Sequence, residues 1–156
     1  MKVTQHLWFE KDMESALRLY TSLIPGSSIE SVKALPTETP GGPAGSLKIA
    51  SFTLGDQRYQ GLEAGPLDAF NHSFSIMLEC ETQAEIDRLW SALGEGGTTE
   101  QCGWLRDRWG LSWQILPRRL GELINDPDTA RAQRVMGAML QMVKLDIAGL
   151  EAAARG

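Results

Sequence analysis

Only two histidines and two cysteines occur in the 156 residues. So little imidazole limits any centre built from histidine ligands, and two thiols cannot form the disulfide framework that staples small secreted domains. In a reducing compartment they are expected as one core thiol and one thiol near a site. No apolar run is long enough to span a bilayer. Positive charge is also in deficit, with 15 Lys and Arg against 20 Asp and Glu and a net charge of -5. That argues against duplex nucleic acid and anionic membrane as partners, because both select clustered cations. A local basic patch remains, since Arg106, Arg108, Arg118 and Arg119 lie close in sequence. The opening residues Met1-Lys-Val-Thr-Gln-His6 lack the apolar core of a signal peptide, so the expected location is cytoplasmic.

The densest stretch is Cys102-Gly-Trp-Leu-Arg-Asp-Arg-Trp-Gly-Leu-Ser-Trp-Gln-Ile-Leu-Pro117, which holds three of the five tryptophans. It reads as a hairpin. Runs at Trp104–Arg108 and Leu111–Leu116 flank Trp109-Gly110, and Pro117 ends the second run because it has no N–H for a ladder. Alternation places Leu111, Trp113 and Ile115 on one face, for burial, and Ser112, Gln114 and Leu116 on the other.

Taken in order, Val3–Phe9 reads as a strand with His6 and Trp8 on one face and Leu7 and Phe9 on the other. A helix follows. Met13, Ala16, Leu17, Tyr20, Leu23 and Ile24 recur at helical spacing until Pro25-Gly26. Ser28–Leu35 is a second strand, residues 36–45 are a breaker-rich loop and candidate lid, and Ser46–Leu54 with Arg58–Leu62 form a hairpin around Gly55-Asp56. Residues 64–71 have linker composition. The same order then returns: a strand over Ser73–Cys80, a helix with Ile86, Leu89, Trp90 and Leu93, a Gly/Thr-rich turn and the Trp-rich hairpin. Gly94-Glu-Gly-Gly97 follows a helix and is read as its cap rather than as a phosphate loop. Beyond Pro117 the character is helical. Asp126-Pro-Asp128 caps a stripe of Ala130, Val135, Met139, Met142, Leu145, Ile147 and Leu150, which either packs on its own chain or meets a second copy.

The Leu7-Trp-Phe-Glu strand, the helix leading to Pro25-Gly-Ser, the Trp-rich hairpin and the tail through Gln133-Arg-Val-Met-Gly-Ala-Met-Leu-Gln-Met together resemble the PhnB-like family of the vicinal oxygen chelate superfamily. The resemblance covers nearly the whole chain. It implies an α+β fold of two βαβββ modules, over 1–63 and 72–117, forming a cup-shaped mixed sheet followed by helices over 118–156 in one compact domain. It also implies a homodimer. Members are often labelled 3-demethylubiquinone 3-methyltransferase-like, and that activity is not carried over, because no strand–helix turn here is glycine-rich in the manner of a dinucleotide fold.

Metal-using relatives hold one divalent ion with a His or Gln and a Glu from each module. By that resemblance His6, Gln60 and Gln114 fall at or near ligand positions, and the fourth falls between His72 and Ser75. Two amides replace carboxylates, which weakens a divalent site. The expectation is therefore no metal, with His6, Gln60 and Gln114 as the ligands if one binds, and no other cofactor. Cys102 is a weak candidate nucleophile, because no base is assigned to it. Trp8 and Trp104 are candidate pocket walls. Arg106 is a candidate anion contact, or else an ion-pair partner of Asp107, Asp87 or Glu85. The reading is a small-molecule binding protein whose ligand meets His6, Trp8, Gln60, Trp104, Arg106 and Gln114. The alternatives are a metal-dependent lyase, isomerase or dioxygenase of the glyoxalase type, and aromatics that serve only folding and dimerisation.

Overall fold

Leu7 and Phe9 alternate with His6 and Trp8, so the first strand, β1 (Gln5–Phe9), buries one face and leaves the other toward solvent. The computed structural model describes every residue except Lys2, Gly41 and Leu67. After β1 come α1 (Met13–Leu23), β2 (Ser28–Ala34), β3 (Lys48–Leu54) and β4 (Gln57–Glu63). They form a mixed sheet of order β1-β4-β3-β2, in which β1 and β4 are parallel and the other pairs antiparallel. The apolar stripe Met13, Ala16, Leu17 and Tyr20 of α1 is fully buried. Gly61 admits this helix: a Cβ there would stand 2.6 Å from Met13 Sδ. Phe52 and Tyr59 stack at 5.2 Å between centroids on the same buried face.

The second set repeats the order. It comprises β5 (Ser75–Cys80), α2 (Gln83–Gly94), β6 (Thr98–Thr99), β7 (Trp104–Arg106) and β8 (Ser112–Pro117), with sheet order β5-β8-β7-β6 and a parallel β5–β8 pair. Thr82 and Glu85 make a complete capping box at the start of α2. Residues 98–99, expected as part of a turn, are a two-residue edge strand on Leu105 and Arg106. Both βαβββ modules are thus present. By contact the chain divides into two units, Met1–Asp68 and Ala69–Gly156.

The hairpin stands where the alternation put it, with Leu111, Trp113 and Ile115 entirely buried. Its first strand is shorter than expected. Asp107 leaves the ladder and turns its carboxylate inward, accepting from the backbone N–H of Trp109 and Leu111 and from Trp113 Nε1 at 2.9 Å. Gly94, Gly96 and Gly97 form the exit of α2, as read.

The carboxy-terminal stripe is not one helix. It divides into α3 (Arg118–Ile124), α4 (Thr129–Met139) and α5 (Ile147–Arg155). Asp128 caps α4, so Pro127 lies just outside the helix rather than in its first turn. Asp146 caps α5 and ends the intervening turn, because its carboxylate accepts from Gly149 N–H. Leu120, Leu123, Val135, Leu145, Leu150 and Ala154 form one buried cluster, so the stripe packs largely on its own chain. No helix among the described residues is long and apolar enough to cross a membrane.

Candidate functional site

In the first unit, parallel pairing sets His6 opposite Gln60 and Trp8 opposite Leu62 on the face turned away from the core. Both His6 and Gln60 are exposed, and Trp8 is half-buried with Nε1 donating to Gly65 O at 3.4 Å. Ser51 continues the His6–Gln60 row on β3, and Arg58 and Thr53 form the next row. A hollow of about 240 Å³ lies against this face, lined by Gln60, Ser51, Arg58, Thr53 and Glu30 among others. Glu30 is occupied by Thr53 Oγ1 at 2.6 Å and Ser28 Oγ at 3.2 Å. Arg58, Ser51 and Thr53 were not singled out from sequence. The available signal was alternation, which puts residue 58 on the same face as residue 60.

In the second unit, Gln114 pairs with Trp104 on one side and Met77 on the other. Its amide Nε2 donates to Ser75 Oγ at 2.9 Å. The unresolved choice between His72 and Ser75 thereby takes a definite form: Ser75 shares the face of Gln114, while His72 lies before the strand and donates from Nε2 to Glu100 at 2.6 Å. The position opposite the second glutamine belongs to Met77, where the first unit has His6.

Arg106 corrects another expectation. Its partner is Glu100 at 2.8 Å, whereas Asp107 is buried, Asp87 pairs with Lys144 and Glu85 caps α2. Trp104 stands edge-on to His72 at 5.8 Å. His72, Glu100, Arg106 and Trp104 therefore form one cluster at the edge of the second sheet. Burial pushes the Glu100 carboxyl up, but hydrogen bonds from His72 and Arg106 outweigh it and hold the group below the usual glutamate range. Since the folded carboxyl binds its proton less tightly than the unfolded one, the cluster adds stability above the ordinary glutamate pKa and loses it as pH falls through the depressed value. The stability difference between wild type and Glu100→Gln is expected to be largest near neutrality and to shrink below about pH 4, read by thermal melts across pH. A difference independent of pH would remove this account.

Cys102 has a left-handed backbone at φ 60°, and its N–H donates to Met142 O at 2.8 Å. It is half-buried, and among the described residues no base is hydrogen-bonded to its sulfur. Ser112 is fully buried, and among the described residues its hydroxyl has no hydrogen-bond partner.

The donors do not fit a tight divalent site. The first unit offers one imidazole and one amide, the second one amide beside a thioether, and none of these neutral groups compensates a hard dication's charge. Among the described residues no group of three or more His, Cys, Asp or Glu is placed to hold a metal ion.

Two βαβββ modules in one chain, each with a parallel first-to-last strand pair, define the vicinal oxygen chelate superfamily. Within it, a family model described as 3-demethylubiquinone-9 3-methyltransferase matches residues 1–116, and the chain belongs to that PhnB-like family. A putative 3-demethylubiquinone-9 3-methyltransferase, the PhnB protein from Bacillus cereus, is 31% identical with a TM-score of 0.66, the match covering 75% of this chain and 99% of that one. A protein of Pseudomonas aeruginosa is 22% identical with a TM-score of 0.56, over 75% of this chain and 97% of its own. The fosfomycin resistance protein FosX from Mesorhizobium loti, 15% identical with a TM-score of 0.54 over 78% and 94%, shares the fold. No curated protein matches the chain.

Proposed function

We propose that the chain is a small-molecule binding protein that holds its ligand through amides, hydroxyls and aromatic faces, without a tight divalent metal. The observation that carries this is the His6–Gln60 register pair beside Trp8, on a sheet face that also borders the Arg58-lined hollow. Such a face offers directional hydrogen bonds next to an aromatic plane, the mixture that orients a small planar or anionic ligand. Within the second unit, Gln114, Trp104 and Arg106 share one face of the sheet and are proposed as ligand contacts of that unit. Methyl transfer, which the family description names, is not part of it. The turns entering α1 and α2, Glu10-Lys-Asp12 and Glu81-Thr82, contain no glycine to bring backbone close to a nucleotide-like cofactor.

Ligand-observed NMR with planar and anionic compounds is the test. Gln60→Ala is expected to weaken binding about tenfold, the equivalent of one hydrogen bond, at an unchanged melting temperature. A wild-type protein that binds none of these compounds sinks the proposal. The glyoxalase-type alternative requires Ni²⁺, Zn²⁺, Mn²⁺ or Fe²⁺ to be retained through gel filtration by way of His6, and loss of retention in His6→Ala. We also infer a homodimer and a cytoplasmic location, supported by exposed Met136, Leu140 and Val143 and by two free thiols. Mass measurement in solution checks the former.

A further inference from the structure

The family model ends at residue 116, and the Bacillus cereus relative is used up almost completely in covering three quarters of this chain. The helices α3, α4 and α5 follow the residues that the family model matches and have a buried cluster of their own. Between them lies a hollow of about 170 Å³, lined by Arg119, Arg131, Arg155 and Glu151 over Leu123 and Ala154. We propose that this hollow is a binding site for a small phosphate-bearing molecule.

Three arginines line one cavity. Arg131 is fixed in place, with Nε donating to Ala154 O at 3.1 Å and Nη1 to Asp126 at 3.1 Å. Arg134 donates to Ala153 O and Ala154 O. The last carbonyls of α5, the negative end of its dipole, are therefore already covered by cations and do not repel an incoming anion. Arg119 has only a long pair with Glu151 at 3.4 Å, and both groups are open to solvent, where such pairs contribute little. Arg155 has no hydrogen-bond or ion-pair partner among the described residues. Of the charged residues lining the hollow, Arg119, Arg131 and Arg155 stand against one carboxylate, Glu151, while Asp126 pairs with Arg131 from outside the lining. A phosphate group resolves the arrangement. It accepts paired N–H donors from planar guanidiniums better than the single distant carboxylate does, and a pre-set Arg131 lowers the ordering cost of binding. The apolar floor of Leu123 and Ala154 leaves room for the carbon skeleton that carries the phosphate.

Inorganic pyrophosphate, titrated by calorimetry at ionic strength held constant with chloride, tests the site. Wild type is expected to bind and to melt at a higher temperature with ligand. The double variant Arg119→Gln/Arg155→Gln is expected to bind at least tenfold more weakly with an unchanged ligand-free melt, and Glu151→Gln to bind several-fold more tightly because the hollow loses the carboxylate that repels the anion. Binding that is equal in wild type and the double variant, or absent from wild type, overturns the assignment, as does weaker binding by Glu151→Gln. Gln60→Ala is expected to leave pyrophosphate binding unchanged, which separates this site from the sheet-face site.

Discussion

Trp113→Ala is expected to destabilise the protein by about 3–5 kcal/mol, read by urea denaturation. The side chain is wholly buried in the second sheet, so its removal leaves a large cavity in a region that cannot collapse without disturbing Leu105, Leu111 and Ile115, each also fully buried. It also strips a donor from Asp107, which is buried and accepts from Trp113 Nε1, Trp109 N–H and Leu111 N–H. Asp107→Ala alone is expected to cost about 3 kcal/mol by orphaning those donors. The two losses share one hydrogen bond, so the double variant should cost less than the sum of the singles. Strict additivity would mean that the indole–carboxylate contact contributes nothing.

Gly97→Ala is the second large effect, with an expected loss of about 3 kcal/mol or more of stability, or failure to accumulate folded protein. A Cβ on Gly97 would run into the backbone carbonyl of Arg106 and lie 3.0 Å from Asp107 Cα. Both obstacles are main chain, held by the β6–β7 pairing and by the Asp107 turn, so neither can rotate aside. Gly45→Ala is the comparison. That glycine has a positive φ but open space around the Cβ, so strain there is confined to its own backbone and a smaller loss is expected. Equal losses at the two positions would show that steric approach is not what selects glycine at 97.

The parts of the fold legible in sequence were those governed by periodicity. Leu111, Trp113 and Ile115 were placed on the buried face by alternation alone, and the spacing of Met13, Leu17 and Tyr20 announced the buried side of α1. Short or tertiary features were not legible. Two threonines cannot announce a strand, and β6 exists because β7 offers it an edge. Arg106 had three acidic candidates near in sequence or register, yet it chose Glu100, which the sheet brings to its side. The continuous apolar stripe after Asp126 hid a turn, although Asp146 three residues before Gly149 carried a capping signal. The site was half legible: alternation put His6 with Trp8, but only the strand register shows that Met77, not a histidine, faces Gln114.

The parallel pairing of β1 with β4 has a consequence for a ribosome-bound chain. Gln5, His6 and Leu7 emerge early and have no strand to join until Tyr59, Gln60 and Gly61 have been made. The second unit delays Ser75 and Ile76 in the same way, until Ser112 and Trp113 follow. Each unit therefore locks shut on its last strand, leaving Leu7 and Phe9 open to mispairing or chaperone capture for most of that unit's synthesis.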